Sequence, residues 1–303
     1  MSAAAEARRA PPALLPLLRE LGDLKRVRSA ARVGSIAQRL FTQAWARLAA
    51  GAPAEAVAWE TTVAALVAAR LGDLDAPTLA AAGVPADAVG EIHREAVAAV
   101  AGPLDPALRA WLLGGGSALP AVPAPAFVAR LARQPRAGAT CPGRGRLMLE
   151  PPENHAEHCV VVAVAGVLLA PAWGADRGTV FVAGLAHHLH NALLPDSGFA
   201  GEVLLGEWLA PAMAYATRLA LQELDAAPRA LVEAACRILP DAATAEGRAF
   251  HAADTLDRVL QIEHHLRAAG TTMGFVQQQM ALVHEGPVKP FQDALLARME
   301  LAA

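Results

Sequence analysis

Residues 154–190 read NHAEHCVVVAVAGVLLAPAWGADRGTVFVAGLAHHLH, and their reading decides the fold. The apolar run from Cys159 to Ala172, about 14 residues, falls short of the roughly 20 needed to span a bilayer, so a buried helix is expected. Asn154 stands as an N-cap with Glu157 three residues on, close to capping-box spacing. Val180 to Ala186 forms a second apolar helix that closes on His187 and His188. His155 and His158, three apart, share one helix face. Imidazoles at the ends of such apolar helices are costly to bury unless hydrogen-bonded or ligated. One such histidine alone is more often a satisfied core residue, but the set points to a metal.

Working outward, the pattern stays helical. After the first two helices, at 155–171 and 177–191, come segments near 199–221, 227–239, 245–268 and 290–300. From about Ala13 to Leu113, Ala37, Leu40, Phe41, Ala44, Trp45 and Leu48 recur at three-to-four spacing, as do Val63, Leu66, Val67 and Leu71. Turn signals at Gly72-Asp73, Gly83-Val84-Pro85 and Gly102-Pro103 punctuate this part. The expected organisation is an N-terminal helical region (1–113), a Pro/Gly-rich connector (114–152) and a metal-binding domain (153–303), all-α throughout.

Composition excludes several classes. With 54% apolar and 18% charged residues over 303 positions, the chain is unlike a disordered one. A net charge of −3 gives no basic surface for nucleic acid. Three cysteines, Cys141, Cys159 and Cys236, fit neither a disulfide framework nor a CxxC zinc site, so a reducing, cytoplasmic setting is expected. The N-terminus lacks the apolar core of a secretory signal. The expected partner is a small-molecule substrate, with no nucleic acid and no membrane; a homo-oligomer is left open. Lys25, Arg26, Arg28 and Arg32 read as a solvated basic face. No phosphate loop with its Lys-Ser/Thr is present.

His158, the block Ala183-Gly184-Leu185-Ala186-His187-His188-Leu189, and Ala253-Asp254-Thr255-Leu256-Asp257-Arg258 together resemble the HD-domain superfamily of metal-dependent phosphohydrolases. The resemblance covers roughly residues 150–290 and implies an HD-like helical bundle. It also implies one metal held by His158, His187, His188 and Asp254. The chain departs from the family at the doublet, where His188 replaces the aspartate.

Three imidazoles and one carboxylate leave a bound divalent ion with net positive charge, and nitrogen-rich ligation favours Fe, Zn or Ni over Mg. The family's dinuclear branch bridges its metals through the doublet aspartate. Here a second metal would have to use His155, His190 or His251. Asn191 stands where the nucleotidase branch often carries a water-activating acid, so Asp196 becomes the candidate base and Glu202 the second candidate. Turn formation competes for Asp196 within Pro195-Asp196-Ser197-Gly198, and a helix-start role competes for Glu202. Asp257 is placed to orient a ligand histidine or to pair with Arg258. His264-His265 and His284-Glu285 read as surface or interdomain contacts.

The resemblance implies a mononuclear hydrolase of a small phosphorylated metabolite or nucleotide. An HD-type iron oxygenase, or a non-catalytic HD domain acting as sensor or scaffold, are the alternatives.

Overall fold

The structure, a computed structural model, describes residues 3–116, 119–269 and 272–302. Among them the fold is all-α: 66% is helical, in fifteen α-helices, with no strand. The helices are α1 (Ala3–Ala7), α2 (Leu15–Asp23), α3 (Ile36–Ala49), α4 (Ala54–Leu71), α5 (Ala76–Ala81), α6 (Ala86–Val100), α7 (Pro106–Leu113) and α8 (Ala126–Arg133). Then follow α9 (His155–Leu169), α10 (Arg177–Ala186), α11 (Gly198–Leu205), α12 (Leu209–Leu221), α13 (Ala226–Ala235), α14 (Ala245–Ala269) and α15 (Lys289–Arg298).

α9 starts at a complete capping box. Asn154 Oδ1 accepts from the Glu157 amide at 3.0 Å, and Glu157 Oε2 accepts from the Asn154 amide at 2.9 Å. Every residue of α9 is buried. A helix apolar on all sides has no face to give to water, so it becomes the axis of the fold, with α10, α14, α3, α4 and α8 packed around it. The stretch His155–Ala172 is long and apolar enough to cross a membrane by length and composition, and 89% of it is buried within the fold.

α10 ends at Ala186, earlier than the sequence pattern suggests, because His187 caps it and His188 leaves helical geometry at φ −110° and ψ 22°. The segment expected as one helix over 199–221 breaks at Gly206, whose φ of 53° lies in the left-handed region that glycine adopts cheaply. The connector is ordered rather than loose. Ala139 and Leu147 exchange backbone hydrogen bonds of 3.0 and 2.9 Å, Arg136 N donates to Glu153 O at 2.9 Å, and His155 N donates to Gln134 O at 3.1 Å. These bonds lace residues 134–154 to the start of α9.

The core draws on both sides of the connector. Trp45 on α3 meets Phe127 on α8 edge-on, with ring centres 4.8 Å apart, and both are fully buried beside α9. The basic cluster is a correction to the sequence reading. Lys25 is 3% exposed and donates to Glu153 at 2.8 Å and to both Asp257 oxygens at 2.7 and 2.8 Å. Arg26 reaches Gln261 at 2.6 Å, and Arg32 reaches Asp75 at 2.8 Å and Thr78 at 2.6 Å. Only Arg28 keeps a half-exposed side chain, 3.7 Å from Glu157. A local run of charge carries no record of distant carboxylates, and here they arrive from 128 and 232 positions away.

α9 and α10 pack backbone against backbone at Gly184, where a Cβ would fall 2.6 Å from Ala163 Cα and 2.9 Å from Ala163 N. Gly184→Ala should therefore destabilise the fold. Overpacking of about 1–3 kcal/mol against backbone outweighs or cancels the roughly 1 kcal/mol that alanine gains in helix propensity. Thermal unfolding of the variant beside wild type checks the sign, and a raised midpoint would refute the close approach.

Candidate metal centre

α9 supplies His158, the end of α10 supplies His187 and His188, and α14 supplies Asp254, Asp257 and Arg258. His158 is fully buried, and its Nδ1 lies 2.7 Å from Asp257 Oδ2. Burial alone would raise the Asp257 carboxyl, but the Lys25 ammonium and the His158 ring outweigh it and hold it below the usual range. An ionised acceptor there assigns a proton to Nδ1, so that in the neutral ring the lone pair is on Nε2.

His187 is arranged the same way from other parts. Its Nδ1 donates to Gly184 O at 2.7 Å, a partner that can only accept, so its Nε2 also bears a lone pair. Burial, and next the neighbouring His158, push this imidazole down to about 3, which keeps it neutral. The two Nε2 atoms face each other at 3.1 Å. Asp254 Oδ1 stands 3.3 Å from the first and 3.9 Å from the second. Burial opposes ionisation of Asp254, yet Arg258, 3.4 Å from Oδ2, and His158 keep its carboxyl well below the ordinary value.

Three acceptors therefore converge where no donor stands between them. Acceptors at such distances repel unless a cation sits among them. A single proton serves one pair, whereas a metal serves all three. Bonds of about 2.0–2.1 Å in a tetrahedral site place neighbouring donors about 3.3–3.4 Å apart, which the separations of 3.1, 3.3 and 3.9 Å bracket. The residues fit a metal ion.

The donor atoms of His158, His187 and His188 all lie within 4.8 Å of one another. His188 differs in one respect, because Arg136 Nη1 lies 3.0 Å from its Nε2. A second cluster, Glu153, His158 and Asp257, also meets the distance criterion. Lys25 Nζ, 2.7–2.8 Å from both of its carboxylates, already supplies the cation there. The His158, His187 and Asp254 convergence is the better metal site.

Beside it opens a cavity of about 260 Å³, whose wall includes His187, His188 and Asp254. Arg136 and Arg258 line it together with the carboxylates of Glu153 and Asp254, while Phe199, Met148 and Met280 give it an apolar side. Asp196 and Glu202 both line it. The Asp196 oxygens accept backbone N–H groups of Ala137 and Gly198, each at 2.9 Å, so the turn that its sequence signals is formed and tied to the connector. Glu202 makes no such bonds, and burial followed by repulsion from Asp196 raises its carboxyl.

Of the other histidines singled out, His155 is fully buried with neither ring nitrogen hydrogen-bonded; its ring centre lies 4.7 Å from that of His188, tilted by 48°, and its Nε2 lies 3.8 Å from Asp196. The His190 ring lies 5.5 Å from that of His188, and burial lowers it to about 4. His251 lies against Phe250, outside the cavity wall. His284 lines the cavity, stacked on Phe199 at 3.9 Å, and His265 is buried 3.1 Å from Gln261; neither is the surface contact its spacing suggests. Arg136 and Glu153 escape sequence reading, since nothing in a Pro/Gly-rich stretch marks an arginine as facing a metal site.

Comparison with family models, with curated proteins and with solved structures finds no match for this chain. The function must be read from the site.

Proposed function

We propose that the chain is a metal-dependent hydrolase of a small phosphorylated metabolite or nucleotide, built on an HD-like site with a single transition metal. The observation that carries the reading is the convergence of His158 Nε2, His187 Nε2 and Asp254 Oδ1 on one point at the wall of a cavity that two arginines also line. A bound metal would supply a Lewis acid and lower the pKa of a water molecule. Asp257 and Gly184 O hold the two imidazoles in the tautomers that ligation needs. Arg136 and Arg258 offer two guanidinium groups to an anionic substrate, and Phe199 with Met280 offers an apolar surface. Glu202 is preferred over Asp196 as general base, because Asp196 is tied to two backbone N–H groups, whereas burial and the neighbouring Asp196 raise the Glu202 carboxyl and make it more basic.

A second reading has its own support. With His188 engaged by Arg136, the remaining donors form a two-histidine, one-carboxylate set, the arrangement of non-haem Fe(II) oxygenases. Elemental analysis of protein purified without chelators, followed by a panel of phosphomonoesters and nucleotides, separates the two. Near-stoichiometric metal with phosphate release supports the hydrolase. Iron with substrate-dependent O₂ uptake and no phosphate release supports the oxygenase. Protein that binds no metal and releases no phosphate would sink the hydrolase.

A further inference from the structure

We infer that Arg136 is a latch on His188: a phosphate-like oxyanion entering the cavity draws the guanidinium away, and His188 then joins His158, His187 and Asp254 as a fourth metal donor. The inference rests on the metal-centre reading above. Asn191 Nδ2 donates to Leu194 O at 3.0 Å, which turns its Oδ1 toward His188 Nδ1 at 2.8 Å. That nitrogen must be the donor, so the lone pair of His188 is on Nε2, and Arg136 Nη1 takes it at 3.0 Å.

One lone pair cannot serve an arginine and a metal together. The His188 ring is boxed between His187 at 4.3 Å, His155 at 4.7 Å and His158 at 5.2 Å, so the exchange must come from movement of Arg136. Two features make that movement cheap. Glu153, 3.4 Å from Arg136 Nε, keeps Lys25 as a counter-charge when the guanidinium leaves. Arg136 also already lines the cavity, where a guanidinium fork gains more from an oxyanion than from a neutral imidazole. Coupling of this kind is reciprocal: the anion tightens the metal, and the metal tightens the anion.

The test is a cobalt(II) titration of metal-free protein followed by visible absorption, in inorganic phosphate or in chloride of equal ionic strength. Wild type should bind cobalt about tenfold or more tightly in phosphate, within the range of measured couplings, with a change of spectrum marking the added nitrogen donor. Arg136→Met should bind in chloride as tightly as wild type does in phosphate and lose the response to phosphate. His188→Phe should keep the weaker binding and respond to neither anion. Arg136→Gln and His188→Gln are expected to lose the phosphate response as well, and they replace any first variant that does not fold.

If His188→Phe keeps the phosphate enhancement, the anion acts as a direct metal ligand and the latch is wrong. Should wild type bind cobalt through His187 with equal affinity in both anions, the latch fails while the metal centre stands. Absence of any cobalt binding that His187→Ala removes overturns both.

Discussion

Lys25→Met is expected to lower the free energy of unfolding by about 3–5 kcal/mol, a large share of the roughly 5–15 kcal/mol that holds a typical domain. The side chain is 3% exposed and neutralises Glu153 and Asp257 at once. Methionine fills a similar volume, so the effect comes from leaving Asp257 with only the His158 ring and Glu153 with only Arg136, both carboxylates being buried. Urea denaturation of wild type and variant measures it. Neutralising all three residues, as Lys25→Met with Glu153→Gln and Asp257→Asn, should recover much of the loss, since a buried ion network adds little net stability over a neutral one. A loss below about 1 kcal/mol in the single variant would mean that the triad is hydrated in solution.

His187→Ala should abolish the stabilisation that metal confers. At free metal of about 100 times its dissociation constant, wild type should gain about 2.7 kcal/mol. The variant, with one of three converging donors removed, should gain almost nothing, because even partners that only orient a ligand are worth about 10–100-fold in affinity. Melting curves with zinc or Fe(II) and with chelator, for both proteins, provide the comparison. The metal-free variant should lose less stability than truncation of a buried ring usually costs, since the change also removes the repulsion between two lone pairs 3.1 Å apart. Identical metal-dependent shifts in both proteins would place the metal elsewhere.

How much of this was legible beforehand depends on the range of the interaction. Capping-box spacing at Asn154 and Glu157 is local, and the structure forms that box. Apolar runs that suit no amphipathic face mark α9 and α10 as central for the same reason. The histidines stand out at the ends of apolar helices, Asp254 is implied by the resemblance to the HD-domain family, and the structure brings His158, His187 and Asp254 together. The spacing of Asp257 from Asp254 leaves open whether it orients a ligand histidine or pairs with Arg258; in the structure it lies against His158, and Arg258 pairs with Asp254.

The misreadings have the opposite character. Lys25 looked like part of a solvated charge run, because its partners lie far along the chain. Arg136 reads as part of a loop, because nothing in its Pro/Gly-rich surroundings marks its contact with His188. His284 matched no ligand spacing, yet the return of the chain after α14 stacks it on Phe199 at the cavity wall.

By itself, then, the sequence determined the helical class, the central pair of apolar helices and the histidines at their ends, since these follow from periodicity and capping over a few residues. Only the tertiary structure decided which lone pairs face one another, that Lys25 is buried between two carboxylates, and that Arg136 holds His188. The first joins residues 29 positions apart, and the others join residues 52 to 232 apart. Charge and hydrogen-bond partners at that range are set by three-dimensional contact and leave no periodic trace in the chain.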